Sequence, residues 1–241
     1  MSNNYKPPIQ KTSYTEIFEH NQQQLAPDHA YIITDHQKRD TLTYFKEAGS
    51  EELRDLFTIA AKGSFNIMHA IIDGDPVQHT NSKIPHMHIH SFRGPFAEDY
   101  QHITDPEIKS YVMRPNPAIG DIIMGMENTG KLSHITIDKE DGGEAAVHSI
   151  IRHPAYVDFA DFSANADDDE LLEYADTLAT LIEPHAQPGK GGARIVIDEQ
   201  AFTSGGFVTH ILAGENLDRY ADIKTEEHSK QRYFQMPVAP N

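Results

Sequence analysis

Three histidines alternate with apolar residues in His86-Met87-His88-Ile89-His90. On an extended strand a period of two places His86, His88 and His90 on one face, about 6.5 Å apart in succession. Imidazoles grouped in this way suit attack on phosphorus or ligation of a transition metal, and each use needs the ring nitrogens held in a defined tautomer. A row of hydrogen-bonded or merely exposed histidines is the bland alternative. Pro85, directly before His86, keeps the chain extended and donates no ladder hydrogen bond, which suits the beginning of a strand.

The elements that must position this strand follow from pattern and punctuation. Residues 1–11 read as a tail, 14–24 as a short helix and 29–34 as a strand. A charged turn from Asp35 to Asp40 holds His36. Ser50 reads as an N-cap with Glu51 and Glu52 in the first turn, followed by Leu53, Leu56, Phe57 and Ala60 at helical spacing. Residues 65–72 form a strand candidate, closed by Asp73-Gly74-Asp75-Pro76, and the histidine strand spans 84–92. In the second half, residues 120–126, 132–137 and 145–152 are strand-like, with a turn over 138–143. A helix starts near Asp167, with Leu171, Leu172, Ala175, Leu178, Ala179 and Ile182 as its apolar stripe. Strands over 193–198 and 207–213 complete the series, the last carrying His210.

Both halves therefore run strand, turn with histidine, acidic-start helix, strand, loop and a final strand with histidine. That order predicts an α+β fold built by internal duplication, with domains at 12–105 and 116–225 and the boundary in the proline-interrupted stretch through Pro115 and Pro117. A single α+β domain with a coincidental order is the other reading.

Composition narrows the function. The 241 residues carry a formal net charge of -17 and no cysteine. General nucleic-acid binding, which leans on cationic neutralisation of phosphates, is disfavoured, as is binding to anionic membranes. Thiolate metal sites and disulfides are excluded, and with no apolar run near ~18 residues the expectation is a cytoplasmic protein.

Ser82-Lys83-Ile84-Pro85-His86-Met87-His88-Ile89-His90 resembles the signature strand of the histidine triad family. The resemblance implies a HIT-like antiparallel sheet with helices, two copies forming an intramolecular pseudo-dimer. It also implies nucleotide hydrolysis or transfer at an α-phosphate through a nucleotidyl-histidine intermediate, with no cofactor. Carried over, His88 is the nucleophile and His86 and His90 bind or orient the phosphate. His29 stands at the start of the upstream strand and His36 in the turn at its end. Asn81, Ser82 and Lys83 stand where the family places polar phosphate contacts, although the usual glycine pair is missing. In the second half, Gly205-Gly206-Phe207-Val208-Thr209-His210 resembles a degenerate copy. Val208 replaces the nucleophile and Gly206 the first histidine. The implied substrate is a nucleotide or phosphorylated small molecule, handled by a monomer or homodimer.

Two other classes stay open on the residues themselves. One is a catalytically silent nucleotide-binding or scaffold protein of the same fold. The other is a zinc or iron site of cupin type using His86, His88 and His90, with His69, His79 or a carboxylate.

Overall fold

Alternation in the strands and an i, i+3, i+4 stripe in the helices bury one face of each element, and the architecture follows from how those faces meet. The computed structural model describes residues 7–19, 30–62, 65–70, 87–92, 114–115, 126, 130–141, 144–186, 193–198, 206–213 and 234–235. In chain order the strands are β1 (Gln10–Lys11), β2 (Thr15–Glu19), β3 (Ala30–Asp35), β4 (Phe65–Ala70), β5 (His88–Phe92), β6 (Arg114–Pro115), β7 (Ser133–Asp141), β8 (Glu144–His153), β9 (Ala193–Asp198), β10 (Phe207–Ala213) and β11 (Phe234–Gln235). The helices are α1 (Thr41–Glu47) and α2 (Ser50–Ala60) between β3 and β4, and α3 (Phe159–Asn165) and α4 (Asp168–Ile182) between β8 and β9.

Nine strands pair antiparallel in the order β1-β2-β3-β5-β4-β9-β10-β8-β7, while β6 pairs with β11. The fold is α+β and consists of two similar sheet-and-helix units, each running two strands, two helices, two strands, joined where β4 pairs with β9. One row of Cα partners crosses eight strands: Phe18, Ile32, His90, Ile67, Val196, His210, Ile150, Ile135. The row reads alike from either end, with His90 and His210 equally far from the junction between Ile67 and Val196. The helix pairs match without a gap. Asp40 and Asp158 cap α1 and α3, Ala48 and Ala166 end them, and Glu52 and Glu170 are each the third residue of the following helix.

All four helices pack on the sheet face that carries Ile17, Ile33, Ile89, Ile195 and Ile211, within one buried core. Phe57 is fully buried and meets Phe159, Phe162 and Tyr174 at ring-centroid distances of 5.5, 6.3 and 5.6 Å, so one aromatic cluster joins the two units. Helix capping is local. Asp167 Oδ1 accepts from Glu170 N and Glu170 Oε2 accepts from Asp167 N, both at 2.9 Å.

Several expectations need correction. Residues 15–19 form β2 and not a helix: Ile17 is buried and the segment pairs with β3, so period two wins over a helical reading. Residues 138–141 continue β7 and do not form the expected turn, because pairing with β8 extends to Asp141↔Glu144. Gly49, not Ser50, is the N-cap of α2. The strands at 193–198 and 207–213 lie where the alternation placed them. The strand candidate at 120–126 lies outside the described residues except Met126, as does the proposed boundary at 105–116 except for β6. Among the described residues no helix is long and apolar enough to cross a membrane.

Candidate functional site

Strand β5 lies between β3 and β4, with Thr34 opposite His88 and both Ile32 and Ile67 opposite His90. Ile89 and Ser91 are buried on the helix face, so alternation places positions 88 and 90 on the sheet face opposite the described helices. His86, His29, Asn81, Ser82 and Lys83 lie outside the described residues. His36 is exposed in the turn after β3, and its backbone N–H donates to the Tyr14 carbonyl at 2.9 Å. The strand thus brings positions 88 and 90 together, with His36 beyond the β3 end that faces His88.

A polar row leads to the same point. Lys11, Glu16, Thr34 and His88 are successive Cα partners across β1, β2, β3 and β5. The hydrogen bond from Lys11 outweighs partial burial and holds the Glu16 carboxyl below the usual range, with Lys11, His36 and Lys38 adding by charge.

Met87, the residue before His88, is tied at both its amide and its carbonyl. The Met87 N–H donates to the Arg39 carbonyl at 2.6 Å. The Met87 carbonyl accepts from the Thr34 hydroxyl at 2.8 Å. Arg39 is itself fixed: Nε and Nη2 donate to Asp35 Oδ2 and Oδ1 at 2.9 and 3.1 Å, and Nη2 also donates to Glu52 Oε1 at 2.9 Å. Its guanidinium lies 4.9 Å from the Tyr44 ring centroid. Glu52 Oε2 accepts from Gly49 N at 3.1 Å, so one carboxylate serves both the start of α2 and the arginine. Burial alone would raise the Asp35 pKa, but bonds from Arg39 and the turn amides reverse that and leave it depressed. The Asp35 and Arg39 side chains are only 1 % and 10 % exposed and satisfy one another, so they influence β5 through its backbone and are no ligand set.

No protein-family model, curated protein or solved structure matches this chain. Comparison of its own two units is therefore the informative one. The β10 register puts Val208 at the place of His88 and His210 at that of His90, and Gly206 precedes Val208 as His86 precedes His88. Gly206 has φ +156, and a Cβ there would meet Pro154 Cα at 2.8 Å. A histidine is sterically barred from that position. Arg152 stands opposite Val208 as Thr34 stands opposite His88, and its Nη1 donates to the Met126 carbonyl at 3.1 Å.

Sequence reading treated Asp35, Arg39 and Glu52 as turn and helix-start charges. An acid and an arginine four apart across a tight turn were the available signal. The Met87 amide, which the Arg39 carbonyl meets, is distant in the chain. Among the described residues no group of three or more His, Asp or Glu side chains is arranged to hold a metal ion.

Proposed function

We propose that this chain is a tandem protein of the histidine-triad type with one competent site on β5, which hydrolyses or transfers a nucleotidyl group through His88. The observation that carries the reading is the alternation His86-Met87-His88-Ile89-His90 in the sequence, of which positions 88 and 90 lie on β5, a strand whose counterpart in the other unit holds valine at the nucleophile's place. A sheet of two units joined edge to edge, with helices on one face, suits an internal pseudo-dimer of this kind.

In the proposed reaction a ring nitrogen of His88 attacks the α-phosphorus, forming a P–N bond as the bond to the leaving group breaks. The leaving group departs with a proton. Water or an acceptor hydroxyl then attacks the same phosphorus, the P–N bond cleaves, and the imidazole is regenerated. His86 and His90 orient the phosphate and offset its charge. His29, His36, Asn81, Ser82 and Lys83 are the proposed contacts to the rest of the nucleotide, and the substrate class is a nucleoside phosphoramidate, a dinucleoside polyphosphate or a related phosphorylated small molecule.

Incubation with adenosine phosphoramidate, followed by intact-protein mass spectrometry and elemental analysis, tests this. A transient adduct of nucleoside-monophosphate mass on His88 is expected, with turnover reduced at least ~100-fold in His88→Ala. Unchanged turnover in that variant removes the nucleophile assignment. Stoichiometric zinc or iron lost together with activity on chelation puts the metal reading first, and neither adduct nor nucleotide binding puts the silent fold first.

A further inference from the structure

Both units tie the residue that precedes position 88 or its counterpart 208 to the turn after the neighbouring outer strand. In the first, Met87 N–H donates to the Arg39 carbonyl at 2.6 Å, and in the second, Phe207 N–H donates to the Tyr156 carbonyl at 2.8 Å. What stands behind the tie differs. In the second unit it is aromatic: the Tyr156 ring lies 4.7 Å from His153 and 5.2 Å from Phe162, and its hydroxyl bonds to Glu170. In the first it is ionic, with Asp35 and Glu52 converging on Arg39. By the gapless helix match, Glu52 corresponds to Glu170, while Asp35 is replaced by His153 and Arg39 by the exposed Val157.

The ionic cluster also shapes the turn. Asp35 Oδ2 accepts from the Arg39 N–H at 3.3 Å, the Asp35 carbonyl accepts from the Lys38 N–H at 3.2 Å, and Lys38 adopts φ 56. A non-glycine residue at positive φ is costly unless its surroundings hold it there. The Asp35 carboxylate thus folds the turn, the turn aims the Arg39 carbonyl, and that carbonyl fixes the amide of Met87, the residue immediately before His88.

We propose that Asp35, Arg39 and Glu52 form a positioning device for His88, holding the Met87 N–H, one residue before it, in its register through the Arg39 carbonyl. The inference rests on the assignment of His88 as nucleophile, and it extends that assignment to three residues that do not touch substrate. Charge pairs suit this task because their hydrogen bonds are directional, the one to Asp35 being bidentate and Glu52 adding a third bond. The aromatic cluster holds chiefly by packing, with the one hydroxyl bond from Tyr156 to Glu170, which is enough for a strand with no reacting group at that place.

The test uses the full chain, with Arg39→Met, Arg39→Lys and, should the first not fold, Glu52→Gln, which keeps an oxygen for Gly49 N–H. Two readouts are taken on variants whose thermal transition shows them folded: hydrogen exchange of the Met87 amide, and kcat and KM with adenosine phosphoramidate. Arg39→Met is expected to exchange Met87 at least ~10-fold faster and to lower kcat roughly 10- to 100-fold with KM nearly constant. Arg39→Lys should recover part of both, and Glu170→Gln in the second unit should change neither. If either Met87 exchange or kcat is unaltered in a folded Arg39→Met or Glu52→Gln variant, the proposal is overturned. Should the unaltered protein form no adduct, the His88 assignment fails separately, and Met87 exchange alone then sustains or overturns the pinning.

Discussion

Ile67 and Val196 face each other across the junction of the two units, and each has a histidine position, 90 or 210, as its next partner outward. The approximate two-fold relation of the sheet therefore passes between these two residues. Equivalent positions can be named by register, and this is how the histidine strand and its valine-bearing counterpart come to be compared residue for residue.

Gly206→Ala should destabilise the fold by about 2 kcal/mol or more, since the new Cβ meets the Pro154 backbone and the residue sits at positive φ. Urea unfolding followed by circular dichroism would show the midpoint fall. An unchanged midpoint would mean that the approach of Pro154 to this strand relaxes freely.

Restoring the missing imidazole should not restore chemistry. The double variant His88→Ala with Val208→His is expected to stay inactive towards adenosine phosphoramidate, because Gly206 cannot supply the first histidine of a second triad. Turnover recovered above that of His88→Ala alone would show that two strand histidines, at positions 208 and 210, suffice without a first.

Phe57 is completely buried between the helices of both units. Phe57→Ala should cost about 3–5 kcal/mol through lost burial and the cavity left behind. Because the core is shared, circular dichroism and tyrosine fluorescence from the second unit should move together in denaturant. Separate transitions would indicate that the units unfold independently.

His153 lies in the shared interior, where burial pushes its pKa below the ordinary 6.5 and outweighs the nearby Glu170 and Glu173 carboxylates. The unfolded chain therefore takes up the proton first as the pH falls. Stability contributed by the neutral ring is fully present above pH 6.5 and is lost as the pH drops through the folded value. Melting temperatures between pH 7.5 and 5 should fall less steeply in His153→Gln than in the unaltered chain. Parallel slopes would remove His153 as the titrating group.

The sequence by itself determined the elements whose signal is local. Strands β9 and β10 follow from apolar runs bounded by glycine and loop residues. Helix α4 follows from the acidic start at Asp167, Asp168 and Asp169 and a stripe ending at Ile182. The grouping of positions 88 and 90 on one strand face follows from alternation alone. Helices α1 and α3, at seven residues each, are too short to announce themselves, since so few turns cannot repay nucleation without tertiary packing. Strand β2 was misread because five residues of mixed polarity acquire their period only from pairing with β3. Which edges of the units meet is likewise non-local: β4 and β9 carry no mark of partnership until Ile67 is set against Val196. The tie from Arg39 to Met87 belongs to the same class, because turn and strand are brought together only when β5 is inserted beside β3, and backbone hydrogen bonds between distant segments leave no trace in residue type.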